Sequence, residues 1–208
     1  NVIPICIVDK NLLGVSSIFA ICFAFLFPSS ARRCIFVSLR EMIAISLIAK
    51  NAFKNNTQIT SVKIGNNVKT IEDNAFSGCS KLRSVSIGKN VTTIGDRAFY
   101  KCKKLTRIGL GTKVTVIQAS AFEGCTALKT VTVKSKKLKT IGKSAFKGCK
   151  KLQTISLKTT KLNKKSIGKN ALKGTNKKLT IKVPKKYVKK YKTYFKNKGN
   201  KSAKVKKG

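Results

Sequence analysis

The sequence lacks His and Trp and has only six carboxylates among its 208 residues. No Asp or Glu follows Glu123. Because His and carboxylates are the usual general acids and bases, a catalytic pair is hard to assemble from these residues. We therefore predict a non-enzymatic protein with no cofactor. The same absences exclude most metal sites that use His or paired carboxylates, and leave only thiolate clusters to consider.

The charge is strongly one-sided. Lys and Arg number 46 against six Asp and Glu, for a formal charge of +40. A field of this strength attracts polyanions of any kind. Arg is scarce beside Lys, however, and Arg is the residue suited to bidentate recognition of bases. The composition therefore favours diffuse electrostatic attraction, and we expect no specific nucleic-acid recognition.

The first part of the chain differs from the rest. Leu12 to Phe27 form an apolar run that is short for a membrane span and closer to the apolar region of a signal peptide. We interpret residues 1–30 as a signal or anchoring segment, with a buried terminal cap or a sequence artefact as alternatives. A membrane contact is expected only through this segment, if it is retained. Residues 31–50 resemble a degraded first repeat.

The rest of the sequence consists of internal repeats. Aligning the pair Ala-Phe places Phe53, Phe76, Phe99, Phe122 and Phe146 at one repeat position, with Leu172 in the sixth slot. A fixed period of about 23 residues is typical of a solenoid, whose units bury their apolar faces by stacking. Each unit also carries an apolar set, such as Leu105, Ile108 and Leu110, whose last three residues (108–110) alternate as a strand does. We predict an α+β repeat solenoid over residues 51–183, with short strands in a narrow parallel sheet.

The residue before each Ala-Phe pair is most often Asn or Ser, which favours a helix N-cap. A Gly usually follows two residues after the Phe, as at Gly124, and suits a left-handed stop. The pattern therefore predicts one short helical turn per unit.

Four cysteines recur at one repeat position, namely Cys79, Cys102, Cys125 and Cys149. Side chains on such a ladder point in the same direction, which disfavours both disulfides and a converging zinc site. We interpret them as small buried apolar residues. Cys6, Cys22 and Cys34 lie outside this column.

The strings "IGDRAFYKCKKLTRIGL" and "IGKSAFKGCKKLQTISL" share Ala-Phe, then Cys-x-x-Leu, then a Leu-x-x-Ile-x-Leu core. This motif resembles the BspA-like leucine-rich repeats over roughly residues 43–183. The resemblance implies a leucine-rich-repeat-like stack in a secreted or cell-surface protein, several relatives being linked to adhesion. It does not imply a particular ligand. Departures from the motif are Lys101 in place of Gly and Leu172 in place of Phe.

The C-terminal residues 184–208 are rich in Lys and Tyr. Pro184, the aromatic residues that follow it and Gly199 predict an amphipathic helix with a Pro start and a Gly stop. We interpret the segment as a cap on the last repeat with a basic tail.

Two functions remain open at this stage. The first is an adhesin-like protein that binds a protein or glycan on a host or neighbouring cell through its outward strand positions. Those positions are Ser61, Lys63, Ser84, Ser86, Arg107, Thr130, Thr132, Thr154 and Ser156. The second is an electrostatic anchor that holds polyanions, such as a cell-wall polymer, mucin glycan or nucleic acid, through its tail. The tail lysines are Lys185, Lys186, Lys189, Lys190, Lys192, Lys196 and Lys198.

Overall fold

The structure is a computed structural model that describes residues 46–208 and, in addition, the backbone of two short strands. These strands, β1 (Ala20–Ile21) and β2 (Ile35–Phe36), pair antiparallel. Apart from them, the predicted leader (residues 1–30), most of the predicted degraded repeat (residues 31–50) and three of the cysteines lie outside the described residues. The interpretations of these parts stay predictions.

The repeats wind into a parallel β-solenoid of about seven turns of roughly 23 residues each, which confirms the predicted fold class. One long side of the solenoid is a sheet of seven parallel strands in the order β14-β13-β12-β10-β8-β6-β4. Their bounds are β4 (Ser61–Lys63), β6 (Ser84–Ser86), β8 (Arg107–Leu110), β10 (Thr130–Val133), β12 (Thr154–Leu157), β13 (Thr180–Val183) and β14 (Lys204–Lys207).

A second sheet of five two-residue strands runs in the order β11-β9-β7-β5-β3. Each of its strands ends in a buried isoleucine, and the sequence analysis does not predict these strands. The bounds are β3 (Leu47–Ile48), β5 (Thr70–Ile71), β7 (Thr93–Ile94), β9 (Val116–Ile117) and β11 (Thr140–Ile141). An isolated parallel bridge from Ile141 to Ile167 continues the row by one more turn.

The core consists of columns of equivalent side chains. Phe76, Phe99 and Phe122 are fully buried, and their rings stack with centroids 5.3 and 5.4 Å apart. The column continues to Phe53 at one end and Phe146 at the other, with centroid distances of 5.1 and 5.5 Å. Each turn thus packs its phenylalanine against the phenylalanines of the neighbouring turns, as a stacked repeat requires.

The segment around each Ala-Phe pair is a turn rather than a helix. Asn74, which the sequence pattern assigns to an N-cap, has a φ of 56°, and the equivalent Arg97 and Ser120 have φ values of 50° and 51°. An N-cap residue has extended φ and ψ, so the N-cap prediction is wrong. Because this residue is left-handed, every second N–H group of the turn points along the solenoid axis. The N–H of Phe76, for instance, donates to the carbonyl of Ala98 at 2.8 Å.

The last turn departs from the repeat. Between β13 and β14, a 3-10 turn (Lys185–Tyr187) leads into helix α1 (Val188–Phe195), where the pattern of residues 184–199 predicts a helix. Tyr191 and Phe195 of α1 are buried, and the Tyr191 hydroxyl donates to the Thr159 carbonyl at 2.9 Å. Over the residues that the structure describes, no helix is long and apolar enough to cross a bilayer.

Candidate functional site

The outward side chains of the seven-stranded sheet form two parallel columns, which together we call the outer strand face. Strand register defines the columns because paired residues lie side by side. The first column is Ser61, Ser84, Arg107, Thr130, Thr154, Thr180 and Lys204. The second is Lys63, Ser86, Gly109, Thr132, Ser156, Lys182 and Lys206. Neighbouring strands lie about 4.8 Å apart, so the face is roughly 29 Å long.

All nine strand positions predicted from the sequence occur in these columns, and every one of them is exposed or half-buried. The structure adds five positions that the sequence interpretation missed, namely Gly109, Thr180, Lys182, Lys204 and Lys206. Three of these belong to β8 and β13, whose alternation could have revealed them. The other two belong to β14, which the sequence interpretation assigns to a tail.

The outer strand face carries basic residues and no carboxylate. Its charges are Lys63, Arg107, Lys182, Lys204 and Lys206, with Ser and Thr at most other positions. The short hydroxyl side chains make the middle of the face flat, and Gly109 leaves a gap there, since a Cβ at this position would meet no atom within 4 Å. A flat, positively charged face of this length is suited to an extended contact with a macromolecule.

The carboxylates of residues 46–208 lie elsewhere, in the turns beside the second sheet. Glu123 accepts hydrogen bonds from the Lys147 ammonium at 2.8 Å and from the Ser120 hydroxyl at 2.7 Å. Burial alone would raise the pKa of Glu123, but the bonds from Lys147 and Ser120 outweigh it and hold that pKa below its ordinary value. Asp73 accepts from the Asp96 N–H at 2.7 Å. These carboxylates are therefore engaged in local contacts and do not neutralise the outer strand face.

The predicted tail lysines all lie on the surface. Lys185, Lys186, Lys189, Lys190, Lys192 and Lys196 are exposed, and Lys198 is half-buried. Helix α1 and β14 border an open pocket of about 720 Å³ at this end of the solenoid. It is lined by Lys192, Phe195, Lys196, Asn197, Asn200, Lys201, Ala203, Lys204, Val205 and Lys206. Five lysines and no carboxylate line the pocket, so its charge is suited to an anionic group.

The cysteine column has no reactive character. Cys79, Cys102, Cys125 and Cys149 are fully buried free thiols. Burial raises the pKa of Cys79 to about 12 and raises the pKa values of Cys125 and Cys149 well above their ordinary value. A thiolate is the nucleophilic form of cysteine, so these residues are structural. Among residues 46–208, no cluster of three or more His, Cys, Asp or Glu side chains is placed to hold a metal ion.

Comparison with known proteins places the fold among bacterial repeat proteins. The BspA type leucine-rich repeat region matches this chain in six copies, over residues 46–178 and 135–207. No curated protein matches the chain.

Solved structures give similar matches. A leucine-rich repeat protein of T. pallidum is 25% identical, with a TM-score of 0.59 over 76% of this chain and 79% of that one. A leucine-rich cell surface protein of Faecalibacterium prausnitzii is 29% identical, with a TM-score of 0.52 over 66% of this chain and 42% of that one. The pneumococcal vaccine antigen PcpA shares the fold at 18% identity, with a TM-score of 0.62 over 78% of this chain and 40% of its own. The chain therefore spans less than half the length of the last two proteins.

Proposed function

The chain belongs to the BspA-type leucine-rich repeat family, and on that premise we propose that it is a non-enzymatic, secreted or cell-surface binding protein. Its ligand is a protein or glycan on a host or neighbouring cell, and the contact is made by the outer strand face. The name of the Faecalibacterium prausnitzii relative, a cell surface protein, supports the location.

One observation carries the proposal: the outer strand face is a continuous surface of two side-chain columns without a carboxylate. Repeat proteins bind through extended surfaces that their stacked units share. Specificity on such a scaffold depends on the particular side chains presented. Thr130 and Thr154 lie side by side at the middle of the face, where a ligand that spans the face has to make contact.

A binding titration of the full chain against immobilised matrix proteins and mucin tests this proposal. Changing Thr130 and Thr154 together to Gln makes the flat middle of the face uneven without altering its charge. Thr70 and Thr93 are also half-buried strand neighbours, but they belong to the second sheet, so the double Thr→Gln variant there is a matched control. We expect the first variant to lose most of its affinity and the control to keep it. Equal binding by both variants would show that the outer strand face is not the contact.

A second function, an electrostatic anchor, is favoured by the C-terminal charge. From Lys134 onward there are 28 Lys and no Asp or Glu. Binding that neutralises many anionic groups weakens steeply as salt rises. If this function is the main one, the chain will bind every polyanion tested, high salt will abolish binding, and the Thr130/Thr154 variant will bind normally.

A further inference from the structure

Two neighbouring loops of the solenoid carry more positive charge than the loops stacked before them. Residues 134–139 connect β10 to β11, and residues 158–166 lead from β12 to the bridge at Ile167. Each loop holds four exposed lysines, namely Lys134, Lys136, Lys137 and Lys139 in the first and Lys158, Lys161, Lys164 and Lys165 in the second. The equivalent loops that follow β4, β6 and β8 hold one exposed lysine each, namely Lys69, Lys89 and Lys113. The scaffold therefore does not require this charge, and we call residues 134–139 and 158–166 the lysine loops.

Hydrogen bonds to buried hydroxyl groups fix the lysine loops and tie one loop to the other. Ser135 of the first loop and Thr159 of the second are fully buried. The Ser135 hydroxyl accepts from the Lys137 N–H at 3.0 Å, and the Thr159 hydroxyl accepts from the Lys161 N–H at 3.1 Å. The Thr159 hydroxyl also donates to the Leu138 carbonyl of the first loop at 2.7 Å. The two loops therefore form one joined surface.

The longer second loop has further supports. The side-chain oxygen of Asn163 accepts from the N–H groups of Lys165 and Ser166 at 2.9 and 3.0 Å. The Tyr191 hydroxyl of α1 donates to the Thr159 carbonyl at 2.9 Å. A preorganised backbone loses little conformational entropy when a ligand binds. The lysine loops therefore present their charges on a backbone that needs no reordering.

The ammonium groups of the lysine loops are not neutralised by neighbouring carboxylates. Within residues 46–208 the ion pairs are Arg97–Asp96 and Lys147–Glu123, and neither involves a lysine loop. Neither loop contains Asp or Glu. An ammonium group is a compact charge with three hydrogen-bond donors. Eight of them on two adjacent turns favour a ligand that carries many closely spaced anionic groups.

The other side chains of the lysine loops narrow the class of ligand. Neither loop contains an aromatic residue or Arg, so nothing in them can stack on a nucleic-acid base. Their leucines, Leu138 and Leu162, are buried, so the loops lack the exposed apolar side chains with which a protein enters a bilayer interface. The matching ligand is a hydrophilic chain of high charge density, and a linear polysaccharide with several sulfate groups per disaccharide has this chemistry.

We propose that the lysine loops bind a linear sulfated polysaccharide, which lies across the carboxyl ends of β10 and β12. Its sulfate groups accept charge-assisted hydrogen bonds from the lysines of both loops. The site uses no residue of the outer strand face and none of the tail lysines, so it depends on neither of the functions proposed above.

The experiment titrates the full chain with a heparin-derived hexasaccharide at constant ionic strength. The loop variant changes Lys137, Lys161 and Lys164 together to Gln. Two control variants remove the same charge elsewhere, one by changing the lysines of the equivalent loops and the other by changing three tail lysines to Gln. These control positions are Lys69, Lys89 and Lys113, and Lys185, Lys186 and Lys189. All nine side chains are exposed, and circular dichroism checks that the three variants fold.

The three variants separate a local site from the overall charge. We expect the loop variant to bind the hexasaccharide about tenfold more weakly than the unsubstituted chain, because three direct charge contacts are lost. The control variants should weaken binding by no more than about twofold, since they alter only the distant field. Equal weakening by all three variants, or a larger effect of either control, would overturn the proposal.

A glutamate oligomer with the same net charge as the hexasaccharide tests the class of ligand. We expect it to bind more weakly than the hexasaccharide, because its charge is spread over a longer chain, and to be affected equally by the three sets of substitutions. If the oligomer binds as tightly as the hexasaccharide and the loop variant alone weakens it, the lysine loops recognise an acidic protein segment and the sulfated polysaccharide is excluded as their particular ligand.

Discussion

The thiol of Cys125 donates a hydrogen bond to the main-chain carbonyl of Phe99 in the preceding turn, with Sγ 3.0 Å from the oxygen. The same bond joins Cys79 to Phe53, Cys102 to Phe76 and Cys149 to Phe122, at 3.0, 3.2 and 3.1 Å. Each cysteine is therefore tied to the phenylalanine of the turn before it. The thiol column and the ring column hold adjacent turns in register together.

Replacing one thiol tests this link. Cys125→Ala removes the Sγ atom from a fully buried position and deletes the bond to Phe99. We expect the free energy of unfolding to fall by about 1–3 kcal/mol, from the lost packing and the lost hydrogen bond. Urea denaturation measures the change. Cys125→Ser is the control that keeps a donor, and an alanine variant as stable as the unsubstituted protein would contradict the structural role.

The cysteine column should resist alkylation in the folded protein. With a pKa of about 12, Cys79 carries about one thiolate per ten thousand molecules at pH 8, and burial also blocks the reagent. We expect iodoacetamide to modify the four column cysteines only after denaturation, as measured by mass spectrometry of each Cys-containing peptide. Rapid modification of Cys125 in the native protein would show that the column opens.

The sequence predicts best those structural features that recur in every turn of the solenoid. The repeated strands of the seven-stranded sheet, the stacked rings and the buried thiols are predictable because every turn offers the same environment, so one interpretation has to fit every copy. The left-handed glycine after each Phe, such as Gly124, is predictable in the same way. The left-handed residue before each Ala-Phe pair is not, because Asn is favoured both at an N-cap and at positive φ. Asn74 therefore fits an N-cap, which it is not, as well as a position of positive φ, which it occupies.

The candidate site is predictable to a similar extent. Alternation identifies which strand residues point outward, and all nine predicted positions lie on the outer strand face. The extension through Lys204 and Lys206 is not evident, because β14 follows a helix that interrupts the repeat period.

The phenylalanine column should be most sensitive at its centre. Phe122 stacks on Phe99 and on Phe146 and is fully buried, whereas Phe53 is half-buried at the start of the column. We expect Phe122→Ala to lower the free energy of unfolding by about 3–5 kcal/mol, and Phe53→Ala to lower it clearly less. Urea denaturation of the two variants provides the comparison. Equal decreases in the free energy of unfolding would mean that the contribution of a phenylalanine in this column does not depend on how deeply it is buried.

The Glu123–Lys147 ion pair should make stability depend on pH. Because the folded-state pKa of Glu123 is lowered, its contribution is present above the ordinary glutamate pKa and is lost as the pH falls through the folded value. The pKa of Lys147 is raised by the hydrogen bond to Glu123, so its contribution is present below the ordinary lysine pKa and is lost as the pH rises through the folded value. We expect Glu123→Gln to lower the melting temperature at neutral pH, with a difference that closes in acid and shrinks in high salt. A difference that is constant with pH would assign the effect to packing.

The gap at Gly109 should be fillable, in contrast to the glycines that face a neighbouring turn. A Cβ at Gly109 would meet no atom within 4 Å, whereas a Cβ at Gly142 would lie 2.5 Å from the Ala119 nitrogen. Thr favours strands, and glycine in a strand costs conformational entropy, so Gly109→Thr should stabilise the protein by about 0.5–1 kcal/mol. Gly142→Ala, with its backbone clash, should destabilise it, and urea denaturation measures both variants.

Because Gly109 also lies in the middle of the outer strand face, Gly109→Thr is also a probe of binding. Unchanged affinity together with the gain in stability would mean that the gap has no role in recognition, and a loss of affinity would place the ligand directly over β8.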